Sequence, residues 1–230
     1  MSDLGDALFS AAQRGLVDRV TSLLAGVDVR DAAVQDAMCA ALQVAVCNDH
    51  AAAMCVLCDA GASFGLATCR FDILYLLPGH KQLFRRSGFQ PIHLAASVGS
   101  SACIDALVER FEVSPNLRDG ERNRGKTPLH WSCLFAHVGA VRQLLAAKAH
   151  VGFLSMNRWN ETVLDAAVCS RDTRVVAAIL KSRPDADTMQ RAIKRALGPR
   201  RRAVLNMVSR ALSSKIASDQ QQSRFGWTHS

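Results

Sequence analysis

Four groups of residues have the types and spacing to do chemistry. Cys55-Val56-Leu57-Cys58 is a CxxC pair with Cys47, His50 and Cys69 nearby in sequence, residue types that can hold zinc. Zinc would want a second ligand pair at compact spacing, and helical register instead puts Cys58 on a buried face and Cys55 on the outer side of the same helix. His93 and His130 could act as bases or metal ligands, but each follows a proline by two residues in a matching context. Ser132-Cys133 and Asp165 supply parts of a nucleophile triad, yet no glycine elbow precedes either. Phosphate-loop and dinucleotide patterns are absent. Arg200-Arg201-Arg202, with Arg191, Lys194 and Arg195, forms a basic cluster. It suits a solvated face, a nuclear import signal, or contact with an acidic partner or nucleic acid. No interleaved aromatic residues support stacking on bases.

The elements that carry these residues are short. In the stretch from Gly125 to Val151, Thr127 can cap a helix and Pro128 fits its first turn, where a missing N–H costs nothing. Leu129, Cys133 and Ala136 give that helix an apolar, small-residue face, and Val141, Leu144 and Leu145 begin a second one. Neither helix is long enough to be stable alone in water, so the pair needs neighbours on both sides. Copies are present. Leu8, Leu42, Ile92, Leu129 and Leu164 are equivalent, and three residues after each comes a small side chain: Ala11, Ala45, Ala95, Ser132 and Ala167. The spacings between copies are 34, 50, 37 and 35 residues, a period that marks a solenoid of helix pairs.

This pattern resembles the ankyrin repeat family. The resemblance rests on Gly125-Lys126-Thr127-Pro128-Leu129-His130 and on Gly88-Phe89-Gln90-Pro91-Ile92-His93-Leu94-Ala95-Ala96. It implies an all-α solenoid of stacked helix-turn-helix units with short loops. Five units are expected near residues 4–29, 36–63, 88–114, 125–151 and 160–183. Ala40-Ala41 stands where Thr-Pro is expected, and Asp49 and Arg171 replace the inter-helix glycine, so those units should be less regular. Residues 64–87 are an apolar insertion, read as an enlarged finger or short helix folded onto the rim. Residues 188–212 read as a basic C-terminal helical cap and 213–230 as a polar, disordered tail, the array with its cap occupying 1–212. The resemblance also implies a structural role for His93 and His130, with Thr127 and the adjoining loop as partners.

Totals narrow the function classes. The chain has 230 residues, 49% hydrophobic and 21% charged, so it can build a core. No apolar run approaches the ~20 residues of a membrane span. Asp3 and Asp6 near the start argue against a secretory signal, and the eight cysteines then read as reduced thiols in a cytoplasmic or nuclear setting. The net charge of +8 is unevenly spread: residues 1–60 carry three basic and eight acidic side chains, residues 188–230 nine and one. Sequence-specific nucleic-acid reading would need a basic stripe across several units. An enzyme would need a pocket with two coupled titratable groups.

The expected function is therefore non-catalytic: a monomeric scaffold, adaptor or regulator gripping another protein in the concave groove, with no metal and no cofactor. The resemblance places Arg86, Phe89, Ser97 and Val98 of the third unit in that groove. It adds Asn123, Arg124, Lys126, Leu134 and Phe135 of the fourth, and Arg158, Trp159, Glu161, Cys169 and Ser170 of the fifth. Exposed aromatic and aliphatic groups flanked by arginine make good interface anchors. Alternatives are a substrate-receptor subunit of a ubiquitin ligase, although no recruiting box follows the repeats, and a nuclear regulator using the basic cap. Chelation by EDTA is expected to leave the helical circular-dichroism signal unchanged. Its loss, with recovery on adding zinc, would assign Cys55 and Cys58 to a metal site.

Overall fold

The computed structural model describes residues 2–62, 89–120, 125–156, 160–196 and 202–225. Twelve helices occur among them: α1 (Ser2–Gln13), α2 (Val17–Leu24), α3 (Ala32–Cys47), α4 (Ala51–Asp59), α5 (Pro91–Val98), α6 (Ser101–Glu109), α7 (Pro128–Leu134), α8 (Val138–Ala146), α9 (Val163–Ser170), α10 (Thr173–Lys181), α11 (Ala186–Ala196) and α12 (Arg202–Phe225). Each odd helix packs on the even helix after it and on the next odd helix. Each even helix packs on the next even one. The result is an inner layer of odd helices and an outer layer of even helices, stacked in chain order. The expected insertion lies outside the described residues.

The core is the seam between the layers. Leu8, Ile92, Leu129 and Leu164 are all fully buried, as are Val20, Met54, Ile104, Val141 and Val176 one helix later. The small residues between them let inner helices approach closely. Pro91 and Pro128 open α5 and α7, while Asp31 opens α3 by accepting from the amides of Ala33 and Val34 at 2.7 and 3.3 Å. That cap starts α3 well before Leu42, so the second unit begins earlier than its register predicts.

The corner between paired helices is left-handed whatever residue occupies it. Gly15 and Gly99 have φ of 68° and 85°, and Asp49, Ala136 and Arg171 adopt 57°, 61° and 64°. Glycine is needed where the next unit leans in. A Cβ on Gly99 would lie 2.6 Å from His137 Nδ1, and one on Gly15 2.8 Å from His50 Nδ1. Both histidines meet the preceding unit's backbone, His50 Nε2 at Gln13 O (3.1 Å) and His137 Nε2 at Ser97 O (2.9 Å). At the joint between the second and third pairs, Asp49 instead accepts from the amide of Cys103 at 3.0 Å, at the start of α6.

Three expectations are corrected. Cys55 is buried, at 8% exposure, because α6 covers the side of α4 that sequence register left outside. Cys39 is disulfide-bonded, whereas Cys47, Cys55, Cys58, Cys103, Cys133 and Cys169 are free thiols. The tail does not become irregular at residue 213. Helix α12 continues to Phe225, since residues 202–225 contain no glycine or proline to stop it.

Leu129 and Leu144 have no exposed surface. Replacing either by alanine should cost roughly 2–4 kcal/mol through the cavity left between helices. Urea unfolding checks this, and a midpoint no different from that of an exposed-site control would show the register to be wrong.

Candidate functional site

Two buried histidines set the inner face. In α5, His93 Nδ1 accepts from the Gln90 amide at 3.1 Å, so its Nε2 carries the proton and donates to Leu117 O at 3.0 Å. In α7, the Thr127 hydroxyl and amide meet His130 Nδ1 at 2.9 and 3.3 Å, and Nε2 donates to Glu161 O at 3.2 Å. Each ring ties the start of an inner helix to a loop that leads towards the next one. In α9 the same corner is built from Thr162 and Asp165, whose Oδ2 accepts from the Thr162 amide and hydroxyl at 2.9 Å. Burial pulls both imidazoles down to about 4, so they stay neutral through the ordinary pH range.

The nucleophile candidates are occupied by packing. Ser132 donates to Leu129 O at 3.1 Å, and Cys133 is fully buried, which pushes its thiol pKa up. Among the described residues no group of three or more His, Cys, Asp or Glu side chains could hold a metal ion.

A buried polar cluster lies at the loop before α7, built on Asp119, which sequence reasoning did not single out. Asp119 accepts from the Lys126 amide at 2.6 Å and from Trp131 Nε1 at 2.9 Å. Its own amide donates to Lys126 O at 2.9 Å, which closes the base of the loop before α7. Burial pushes Asp119 up to about 7, against the downward pull of Trp131, of the backbone amides and of the Lys126 charge. Lys126 Nζ pairs with Glu161 at 3.3 Å and stands 5.8 Å from the centre of the Trp131 ring. Arg118, also missed, donates to Leu154 O at 3.1 Å and covers the Phe153 ring at 4.9 Å. A lone aspartate ahead of Gly-Lys-Thr-Pro was the available signal for Asp119.

These contacts change the expected groove set. Phe89 is not an exposed anchor: it is buried, edge-on to Trp131 with ring centroids 5.6 Å apart. Lys126 is likewise buried and joins neighbouring units instead of facing outward. Its partner Glu161 is half-buried, as are Val98, Leu134 and Phe135. Phe135 stacks on Trp131 at 6.0 Å with an interplanar angle of 11°. Arg86, Arg124, Arg158 and Trp159 lie outside the described residues, as do Arg200 and Arg201 and the side chain of Arg195. Arg202 is exposed at the first position of α12.

Stacked helix pairs, left-handed corners and proline-opened inner helices define a helical repeat protein. A family model described as ankyrin repeats (3 copies) matches residues 66–153 and 92–192, which together span more than half of the chain, and the chain belongs to that family. It is 40% identical over 75 residues to "Ankyrin repeat domain-containing protein 13B" of Mus musculus and of Homo sapiens, an alignment covering 33% of this chain and 11% of each relative. It is 32% identical over 96 residues to Rabankyrin-5 of Homo sapiens, covering 42% of this chain and 8% of that protein. The chain thus spans only about a tenth of the length of the curated relatives it matches. No helix among the described residues is long and apolar enough to cross a membrane.

The buried titratable groups give a pH test. Between pH ~6.5 and ~4, an unfolded chain protonates His93 and His130 while the folded chain does not, so their contribution to stability falls as pH falls. Asp119 acts oppositely: folded, it binds its proton below pH ~7, whereas the unfolded carboxyl stays ionised to near 3.8. Asp119→Asn should therefore steepen the loss of stability with acid by about 1.4 kcal/mol per pH unit across that window. Urea melts at several pH values measure the slope. An unchanged slope would mean that the folded protein keeps Asp119 ionised.

Proposed function

We propose that the chain is a non-catalytic protein–protein interaction module, a scaffold, adaptor or regulator that grips its partner on the inner face of the repeats. The observation that carries this reading is the row formed by Val98, Leu134 and Phe135. Val98 and Phe135 are equivalent positions at the C-terminal ends of α5 and α7, which pack against each other, and Leu134 adjoins Phe135. All three are half-buried apolar side chains. Phe135 is backed by Trp131, which is itself fixed by Asp119. An aromatic held in place before binding loses little entropy on contact, which is what an interface anchor requires. Family membership and the relatives' shared repeat class support protein binding of this kind, and Arg86, Arg124, Arg158, Trp159 and Glu161 extend the proposed face.

A photo-crosslinking residue placed at Val98 should capture a discrete partner from cell extract, and Phe135→Ala with Leu134→Ala should abolish that capture. Stability should fall by no more than about 2 kcal/mol, because both side chains are partly exposed. Capture that survives in a folded double variant would move the function off the inner face.

A further inference from the structure

The outer layer changes its charge along the stack. On α6 the exposed or half-exposed ionised groups are Asp105 and Glu109, followed at its C-terminal end by Arg110, which pairs with Asp59 at 2.6 Å; α8 presents Arg142, α10 Arg174 and Lys181, and α12 Arg202, Arg210, Lys215 and Asp219. Between α8 and α10 lies an open groove of about 600 Å³ in which the charged lining groups are Arg142, Arg174 and Lys181, over a floor of Leu145, Ala146, Ala177 and Ala178. Arg174 is engaged at 2.8 Å by Asp172. No ion pair among the described residues engages Arg142 or Lys181, and both are exposed.

Register fixes how these cations are arranged. Equivalent positions of the two units are 35 residues apart, so Arg142 on one wall stands level with Ala177 on the other, and Lys181 stands level with Ala146. The positive groups therefore alternate between walls: Arg174, then Arg142, then Lys181. Arg174 and Lys181 are two helical turns apart on α10, or about 10.5 Å at 1.5 Å per residue. A helix laid along this groove would set carboxylates on its two flanks at the same rise, with an apolar stripe between them. That is the arrangement of flanking charges beside an apolar seam in paired helices.

We propose that the groove between α8 and α10 is a docking site for an acidic amphipathic helix of a partner protein. Its apolar stripe lies on Leu145, Ala146, Ala177 and Ala178, and its flanking carboxylates meet Arg142 and Lys181. Charge complementarity selects the occupant, and the floor selects its form. Methyl and leucyl groups between the cations would waste a phosphodiester backbone or a lipid headgroup, and no aromatic ring lines the groove to stack on a base. Asp105 and Glu109 on α6, level with Arg142 and Ala146, repel the same helix from the neighbouring groove and so fix its lateral position. This surface lies on the opposite layer from the inner-face row, so the two can fail independently.

The test uses the whole chain and a labelled synthetic helix with leucine at heptad positions a and d and glutamate at e and g, read by fluorescence anisotropy at low ionic strength. The helix should bind, a scrambled peptide of the same composition should bind markedly less, and Arg142→Glu with Lys181→Glu should weaken binding by about tenfold or more. Phe135→Ala with Leu134→Ala should leave this binding unchanged. Circular dichroism confirms folding; were the charge reversal to unfold the chain, Arg142→Gln with Lys181→Gln gives the same reading with a smaller loss. Absence of binding, equal binding of the scrambled peptide, or indifference to the double variant would overturn the proposal. So would heparin or phosphatidylserine vesicles losing affinity for the charge-reversed protein when the helix does not, which would make the face a general polyanion or membrane surface.

Discussion

A buried, neutral imidazole holds the inner joints on which the middle of this array depends. The helices are mostly seven to nine residues long, too short to persist without neighbours. Packing supplies most of their stability, but packing alone does not fix where one unit ends and the next begins. His93 and His130 do so by accepting at one nitrogen from their own helix start and donating at the other to a carbonyl of the adjoining loop. A charged ring could not accept at Nδ1, so the geometry requires the depressed pKa that burial provides. The joint and its proton state are one constraint.

The inner face follows from that joint. Fixing the loop before α7 brings Lys126 against Glu161 and closes Asp119 onto Trp131, and the indole then supports Phe135. The residues that hold the loops are thus polar and buried, Glu161 alone being half-buried, while Leu134 and Phe135 beside them are half-exposed and apolar. The apolar row rests on polar groups that are already paired with one another. Side chains in the row need little reordering to meet another surface.

The repeat register was legible because it is written in volumes. An aliphatic residue followed three positions later by a small one recurs at Leu8, Leu42, Ile92, Leu129 and Leu164, and every one of those aliphatic side chains is buried. What register could not show was cover supplied by another unit. Phe89 and Lys126 sit in loops, and a reading along one unit cannot reveal that Trp131 and Glu161 will close over them. The same holds for Cys55, because α6 buries a side of α4 that looks outward within its own helix. The extent of α12 is hidden for a different reason: its later residues are polar, as a disordered tail would be, yet nothing between 202 and 225 is a glycine or proline that would stop the helix.

Because the helix pairs stack in chain order, distance along the sequence becomes distance along the stack. Among the described residues, 2–62 at one end of the stack carry three basic and eight acidic side chains, and α11 with α12 at the other carry seven basic and two acidic, so the charge asymmetry of the sequence becomes a charge separation along the stacking axis. A charged molecule nearing the protein feels a torque before it feels a contact, and arrives with its acidic side turned towards the later units. This steering comes from the summed field of the whole charge distribution. At physiological ionic strength it is screened beyond about 8 Å, which leaves it to act in the last layer of solvent before touch.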